Sequence, residues 1–200
     1  PLGLFVKGRM PDDSRPAAAV IGDRGCSYYG KEEARYIARE LARSGVQIVS
    51  GLAMGIDGAG HAGALEAGQE TYGVLGCGID ICYPKENLRM FERMERQGGI
   101  ITEFLPGTPP YSGNFPMRNR IISGLSDLVI VVEARKRSGS LITVGFALEQ
   151  GKEVLAVPGR ETDPLSAGHH ELIPTGAGPL LTPADPHELL GLNSDKNRDL

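Results

Sequence analysis

Short runs of apolar residues recur along the chain, and longer segments with a helical period separate them. Each run has the length of an ordinary strand and is continuously apolar over most of that length. Six runs predict strands, at residues 17–22, 47–51, 71–76, 100–104, 127–134 and 152–159. Strands of this kind are typical of a parallel sheet that is buried on both faces.

The segments between these runs carry helical patterns. In the first one, apolar residues at 34, 37, 38 and 41 share one helical face, and Gly45 marks the end of the helix. Asp57 is predicted to be the N-cap of a glycine-rich helix. Helices are predicted at residues 31–45, 58–68, 85–98, 117–126 and 141–151. This alternation predicts a doubly wound α/β fold with a mostly parallel, Rossmann-like sheet.

The length of the chain, 200 residues, suits a single domain. The regular pattern weakens after Gly178, and the final stretch NSDKNRDL is polar. We therefore expect a core domain over residues 1–190 and a disordered tail over residues 191–200. The start at Pro1, in place of a methionine, favours an origin as the core of a longer protein.

Composition narrows the class of protein. No apolar run is long enough to span a bilayer and no charged-then-apolar leader is present, so we expect a soluble cytoplasmic protein without a membrane partner. Cys26, Cys77 and Cys82 form neither an even disulfide set nor a CxxC pair, which suits a reducing compartment. The net charge of −4 argues mildly against binding nucleic acid over the whole surface, but it allows a local basic patch.

Candidate chemistry concentrates at one edge of the predicted sheet. In doubly wound sheets, ligands bind beyond the carboxyl ends of the strands. The sequence places six segments there, at residues 22–24, 50–51, 76, 103–119, 134–140 and 158–159. A dinucleotide is disfavoured for two reasons. The first loop carries glycines at 22, 25 and 30 in place of GxGxxG, and the second strand ends in Ser50-Gly51, where an acid that binds ribose is expected.

A phosphate group fits this edge better. Gly139 and Ser140 directly precede the last predicted helix, with Ser140 as its expected N-cap. Free N–H groups and the positive end of the helix dipole then face the edge. Arginines occur in several neighbouring loops, at 24, 118, 120, 135 and 137. A single surface arginine is usually only solvated, but the convergence of these loops on one sheet edge favours an anion site.

Phe115 distinguishes between two kinds of ligand. A mononucleotide needs phosphate donors, whereas a single-stranded nucleic acid also needs aromatic side chains on which bases stack. Phe115 lies between Gly113 and Pro116 and close to Arg118, an arrangement that fits a single strand. The alternative is that the ring turns inward and joins the core, and the sequence alone leaves both interpretations open.

Evidence for an enzyme is weak. Asp57 and His61 lie four residues apart on a helix, but the chain has no GxSxG nucleophile motif and no HExxH metal motif. We interpret His61 as a polar packing residue. The neighbouring His169 and His170 are expected to point in different directions, which argues against a two-histidine metal site.

Five motifs, in order and with consistent spacing, resemble the DNA-processing protein A family, also called DprA or Smf. They are SGLAMGIDGAGHAGAL (50–65), LGCGIDICYPKEN (75–87), GNFPMRNRIISGLSD (113–127), RSGSLITVGFALEQGKEVLAVPG (137–159) and the downstream ELIPTGA. The resemblance implies an extended Rossmann domain that forms homodimers and binds single-stranded DNA in the bacterial cytoplasm, with no cofactor and no established enzymatic activity. It also implies a protein that protects incoming strands during natural transformation and loads the RecA recombinase onto them.

The resemblance further implies which residues bind DNA. Carried over by position, the family's pocket falls on Arg24, Gly113, Phe115, Arg118, Asn119, Arg120, Arg137, Ser138, Gly139 and Ser140. Ser50 and Gly51 join this predicted site from the sheet edge, and no catalytic or metal-binding residue is assigned. The chain departs from the family at Asp23, where a small or hydroxyl residue is usual. Its carboxylate is expected to repel a phosphate or to pair with Arg24.

Two other functions stay open on the sequence. The lysine-decarboxylase-like or LOG group shares this Rossmann variant and hydrolyses nucleotide N-glycosidic bonds (a phosphoribohydrolase activity), with a PGGxGT turn followed by a catalytic glutamate. The corresponding turn here reads RSGSLIT, and the only candidate acid is Glu149, late on the helix. A nucleotide-sensing module without catalysis is the third function.

Overall fold

The computed structural model describes residues 1–168, 172, 174, 176–182 and 184–192. Its strands have the bounds β1 Phe5–Gly8, β2 Ala17–Ile21, β3 Gln47–Ser50, β4 Thr71–Val74, β5 Gly98–Thr102, β6 Leu128–Val131, β7 Glu153–Ala156 and β8 Gly178–Pro179. Its helices have the bounds α1 Tyr28–Arg43, α2 Ile56–Glu66, α3 Leu88–Arg96, α4 Asn114–Gly124, α5 Ser140–Glu149 and α6 Ala184–Leu189.

The strands form one sheet in the order β1-β5-β4-β3-β2-β6-β7-β8. Neighbouring strands are parallel, except that β1 runs antiparallel to β5. From β2 the chain winds outward through β3, β4 and β5. It then returns to β6, on the other side of β2, and continues to β7 and β8. The predicted doubly wound, mostly parallel fold is confirmed, and the reversal creates a switch point between the carboxyl ends of β2 and β6.

Side chains of the central strands contribute to two cores. On β2, Ala18 and Val20 pack with α1 and α2, while Ala19 and Ile21 pack with α4 and α5 on the opposite face. Every residue of β2 is buried. Burial on both faces explains why the central strands are continuously apolar in sequence.

The first two helices approach each other closely because α2 is rich in glycine. A Cβ atom at Gly63 would clash with the backbone of Arg35 in α1. A Cβ atom at Gly60 would lie 3.2 Å from the side chain of Val20 in β2. Each glycine lowers intrinsic helix stability by about 1 kcal/mol relative to alanine. The close packing of α2 on its neighbours therefore depends on residues that disfavour the helix itself.

Strand β1 was not among the predicted elements. It is an edge strand, and its side chains Phe5 and Val6 are 38% and 37% exposed. An edge strand of this kind lacks the continuous apolar run that identifies the central strands. The short elements β8 and α6, in the region beyond residue 178 where the pattern weakens, were not predicted either.

Two predicted helix caps are wrong. The N-cap of α2 is Gly55, whose φ of 76° suits glycine, and Asp57 therefore lies within the first turn. The N-cap of α5 is Gly139, and Ser140 is the first helical residue. At Gly55 the positive φ suits a glycine, whereas Gly139 has ordinary helical dihedral angles, and in neither place does the polar side chain that follows cap the helix.

Helix α4 begins at Asn114, ahead of the predicted start at residue 117. Phe115 and Pro116 thus belong to its first turn. Proline is tolerated there because the first N–H groups of a helix have no acceptor within the helix. The first turn places the phenylalanine ring at a defined angle to the sheet edge.

Some predictions concern residues that the structure does not describe. His169, His170 and residues 193–200 of the predicted tail lie outside the described residues. Leu192, just before that stretch, packs against the core. Within the described ranges, no helix has the length and apolar character needed to cross a membrane.

Candidate functional site

A cavity of about 640 Å³ lies at the switch point. Its walls come from the first loop after β2, the first half of α4, the loop before α5 and the first turn of α5. Single residues from elsewhere, including Asp57 and Tyr83, complete the lining. Ligand sites usually have volumes of about 300–1,000 Å³. Position and size together identify this switch-point cavity as the candidate site.

The amino terminus of α5 opens into this cavity. The N–H groups of Gly139 and Ser140 have no acceptor among the described residues, whereas the next two N–H groups bond back to Ser138 and Gly139. The hydroxyl groups of Ser138 and Ser140 lie 2.9 Å apart beside them. Asn119 of α4 donates to the carbonyl oxygen of Gly139 (3.2 Å) and holds the turn in place. This end of α5 therefore presents free donors and a positive dipole, which suit an anion.

Two exposed arginines of the cavity wall have no ion-pair partner within the described part of the chain. Arg24 lies in the first loop, and Arg137 lies directly before the α5 turn. Neither forms a salt bridge with any described acidic group. Both guanidinium groups are therefore available for a bound anion.

Arg118 of α4 is a third cation, and it is buried beneath the cavity with only 3% of its surface exposed. Its Nη1 donates to the carbonyl oxygens of Gly51 (2.7 Å) and Val74, and its Nε donates to Asn119 (3.1 Å). Nη2 has no acceptor among the described residues and can donate to a ligand. Burial lowers the pKa of Arg118 to about 10, against the attraction of the Asp57 carboxylate, so the group stays charged at neutral pH.

The ring of Phe115 lines the cavity and belongs to none of the hydrophobic clusters. The guanidinium carbons of Arg24 and Arg118 lie 4.9 Å and 5.7 Å from the centre of the ring. The ring of Tyr83 lies beside it, with 5.6 Å between the two ring centres. A Cβ atom at Gly76 would come within 2.8 Å of the ring, so a glycine there makes room for it. The ring is thus held by its neighbours at the cavity wall.

Asp23 pairs with Arg135 and not with Arg24. Its Oδ1 accepts from Arg135 Nη1 (2.6 Å) and from the N–H of Gly25 (2.8 Å). Arg135 also donates to the carbonyl oxygen of Gly25 (3.3 Å). The carboxylate therefore neutralises one cation at the cavity and leaves Arg24 unpaired.

Three residues of the predicted site lie outside the lining of the switch-point cavity. Ser50 is fully buried, and its hydroxyl group donates to the carbonyl oxygen of Val20 (2.7 Å). The N–H of Gly51 donates to the carboxylate of Asp57 (3.1 Å). Gly113 is exposed ahead of α4. These residues shape the sheet edge without reaching the cavity.

Arg120 also lies away from the cavity. It follows Arg118 by two residues, which in a helix corresponds to a rotation of about 200°. Its guanidinium group pairs with the carboxylate of Glu103 on the far side of α4. The predicted site residues that the structure does bring together line the cavity: Arg24, Phe115, Arg118, Asn119, Arg137, Ser138, Gly139 and Ser140.

Tyr83 lines the cavity but was not predicted as a site residue. It lies in the long loop after β4, and it is 41% exposed. The signal was present in the sequence, because the loop follows the carboxyl end of a predicted strand and contains an aromatic residue. Only the fold shows that this loop reaches across to Phe115.

The amino terminus of α1 is filled by the protein itself. Glu133, which follows β6, accepts from the N–H of Ser27 (2.8 Å) and from its hydroxyl group (2.5 Å). A Cβ atom at Gly30 would clash with this carboxylate. In Rossmann folds that bind dinucleotides, the diphosphate occupies this position. The carboxylate gives a physical reason for the missing dinucleotide motif.

Of the acid–base candidates from the sequence, Asp57 lines the cavity, whereas His61 and Glu149 do not. His61 is fully buried, its Nδ1 lies 2.7 Å from the hydroxyl group of Thr71, and burial lowers its pKa to about 3. Glu149 ends α5, about 15 Å along the helix from the turn that opens into the cavity. Among the described residues, no group of three or more His, Cys, Asp or Glu side chains is placed to hold a metal ion.

A sequence model of the family described as DNA recombination-mediator protein A matches residues 1–191. DNA processing protein DprA of Bacillus subtilis is 44% identical over 191 residues, which are 95% of this chain and 64% of that protein. Protein Smf of Escherichia coli is 45% identical over 95% of this chain and 50% of its own length. The chain thus spans between half and two thirds of these relatives.

Solved structures agree with these sequence matches. DNA processing protein A from Streptococcus pneumoniae has a TM-score of 0.86 and 43% identity, and covers 91% of this chain and 64% of its own. A Helicobacter pylori DNA processing protein A structure, which concerns a single-stranded DNA binding mode, has a TM-score of 0.83 and 30% identity over 94% and 86% of the two chains. A molybdenum cofactor binding protein from Rippkaea orientalis shares the fold alone, at 19% identity and a TM-score of 0.63.

Proposed function

The chain belongs to the DNA recombination-mediator protein A family, and from this membership we propose that its switch-point cavity binds single-stranded DNA. One observation carries the proposal. A single concave site combines an aromatic ring, Phe115, with two unpaired arginines and the open amino terminus of α5. Single-strand sites combine the same two elements, a positively charged track and aromatic platforms for bases.

Each part of the cavity has a role in this proposal. The free N–H groups of Gly139 and Ser140 and the guanidinium group of Arg137 hold a phosphate. A base stacks at Phe115. The guanidinium group of Arg24 lies over the same ring, 4.9 Å from its centre. Bases in a duplex are stacked on each other and are not accessible to a ring inside a cavity, so an unpaired strand fits the site better.

The wider cellular role is also a proposal. The family is described as a recombination mediator, and relatives are named DNA processing proteins. These descriptions support a role in which the protein protects incoming strands during natural transformation and loads RecA onto them in the bacterial cytoplasm. Faster assembly of RecA on single-stranded DNA in the presence of the protein would support this role, and an unchanged rate would contradict it.

We also propose that the protein acts as a homodimer. A groove of about 250 Å³ beside α1 is bordered by apolar side chains, among them Tyr29 and Leu181, which are 59% and 70% exposed. Large exposed apolar side chains of this kind often mark an interface between chains. Sedimentation of the wild type and of Leu181→Glu tests the proposal: the wild type should sediment as a dimer and the variant as a monomer.

The cavity supports binding of a strand better than it supports hydrolysis of a nucleotide. The alternative of a LOG-like N-glycosidase needs an acid at the reacting sugar, and its candidate Glu149 lies at the far end of α5. The alternative of a nucleotide sensor needs no platform for several bases.

Titration of labelled oligonucleotides, duplexes of equal length and mononucleotides at one salt concentration separates these functions. We expect single strands to bind most tightly, with little base preference. Equal or tighter duplex binding would contradict the proposal. Release of free base from a nucleoside monophosphate, abolished by Glu149→Ala, would favour the N-glycosidase.

A further inference from the structure

A second, smaller cavity of about 230 Å³ adjoins the switch-point cavity. The two cavities share five lining residues, which are Arg24, Ala53, Tyr83, Phe115 and Arg118. On this basis we infer that the smaller cavity is a second nucleobase subsite, in which Tyr83 is the platform for a base adjacent to the one at Phe115. The inference rests on the proposed binding of single-stranded DNA and adds to it a residue and a subsite.

Apart from Arg24 and Arg118, which it shares with the switch-point cavity, the smaller cavity is lined by uncharged residues, and this part of its lining suits a base. Its lining includes Met54, Tyr83 and Pro84, of which Met54 and Tyr83 are 51% and 41% exposed and Pro84 is buried. At about 30 Å³ for each water molecule, its volume equals that of roughly eight waters, enough for one planar base. No open helix terminus contributes to the lining. Apolar walls with exposed edges match the faces of an unpaired base.

The arrangement of the two rings indicates how two bases would lie. The centres of the Tyr83 and Phe115 rings are 5.6 Å apart, and their planes are inclined by 37°. Stacked bases in a B-form strand rise by only about 3.4 Å. Bases on the two rings are therefore neighbours in the strand that no longer stack on each other.

Arg24 lies between the two subsites. It lines both cavities, and its guanidinium carbon lies 4.9 Å from the centre of the Phe115 ring. It has no hydrogen bond or ion pair to any described residue, and its head group lies against the ring. An arginine in this place can contact the phosphate that joins the two bases.

The test places 2-aminopurine, a fluorescent base, at each position of a short single strand in turn. The chain contains no tryptophan, so protein fluorescence does not interfere. We expect the wild type to change the fluorescence at two adjacent positions. Tyr83→Leu should abolish the change at one of them and weaken binding about 5- to 150-fold, the range of one base–aromatic stack, with an unchanged salt dependence.

Two controls make the result specific. Tyr83→Phe keeps the ring, and the hydroxyl group of Tyr83 has no partner within the described residues, so this variant should behave as the wild type. Met54→Glu, which adds a charge to the smaller cavity only, should reproduce the loss of the same fluorescence change. If the wild type binds single strands but Tyr83→Leu binds normally and still responds at both positions, the subsite is wrong. If the wild type shows no preference for single strands, the proposed function is wrong, and this result is distinct from a failure of the subsite alone.

Discussion

Two helices begin beside the switch point, and their amino termini are in opposite states. Helix α1 follows β2 and α5 follows β6, and these two strands are parallel neighbours, so both termini lie at the same sheet edge. The α1 terminus is filled by the carboxylate of Glu133. The α5 terminus has free N–H groups at Gly139 and Ser140 and opens into a cavity.

The difference teaches that a helix terminus becomes an anion site only where the protein leaves it empty. Both termini carry the same partial positive charge. The segment that follows β6 decides the outcome for both, since Glu133 closes the first terminus and residues 137–140 form the second. The open terminus, and with it the candidate site, therefore lies away from the usual dinucleotide position at α1 and toward α4, where Phe115 lies.

Removal of the Glu133 carboxylate that fills the amino terminus of α1 should have the largest effect, and it should act on the stability of the fold. Glu133→Ala leaves the N–H and hydroxyl groups of Ser27 without their acceptor, and we expect unfolding free energy to fall by roughly 2–4 kcal/mol. Chemical denaturation measures the loss. Glu133→Gln keeps an oxygen acceptor and should lose less. Added inorganic phosphate should raise the melting temperature of Glu133→Ala more than that of the wild type, because the vacated terminus then takes an anion. If Glu133→Ala is as stable as the wild type, the carboxylate does not stabilise the amino terminus of α1.

Loss of the ring beside the open terminus should have the next largest effect. Phe115→Ala should weaken single-strand binding by about 1–3 kcal/mol and leave its salt dependence unchanged, because no charge is removed. Tyr28→Ala is the matched control, since Tyr28 is an exposed ring at the closed terminus of α1. Oligonucleotide titrations and thermal melts of both variants check this. A Phe115→Ala protein that melts early but binds normally would mean that the ring serves only the fold.

The arginine next to the open terminus should affect the salt dependence. The logarithm of single-strand affinity falls against the logarithm of salt concentration with a slope of about −0.7 for each phosphate neutralised. Arg137→Ala should flatten the slope by about 0.7. Arg120→Ala removes the same charge from the other side of α4, where it pairs with Glu103, and should leave the slope unchanged. If Arg137→Ala and Arg120→Ala have equal slopes, Arg137 does not contact a phosphate.

Asp23 should have the smallest effect. Asp23→Ser frees Arg135 for a phosphate and should raise single-strand affinity, by about 0.2–1 kcal/mol since Arg135 is half exposed. The gain should be greatest at low salt, where screening is weakest. Asp13→Ser removes an equal charge from the exposed loop before β2, at the other end of that strand, and serves as the control. A weaker affinity of Asp23→Ser would mean that its bond to the N–H of Gly25 positions the loop.

Much of the fold could be predicted because burial of a strand or of a helix face produces an apolar pattern in the local sequence. A strand such as β2 is apolar at every position because both of its faces are covered, and one face of α1 is apolar because it lies on the sheet. The exposed strand β1 has no such continuous apolar pattern and was not predicted. The caps of α2 and α5 were predicted wrongly as well, because Asp57 and Ser140 have the chemistry of N-caps while Gly55 and Gly139 occupy the N-cap positions.

The sequence by itself determined the layers of this protein, the sheet edge that carries the polar loops and the family to which the chain belongs. The tertiary structure alone decided which polar groups face the cavity. Arg118 lies beneath it, whereas Arg120, two residues later, pairs with Glu103. Glu133 reaches Ser27 across 106 positions of the chain and closes the terminus that the fold would otherwise offer to a ligand. Apolar periodicity reports on burial within a few residues, but the partner of a polar side chain is set by distant segments that meet only in the folded chain.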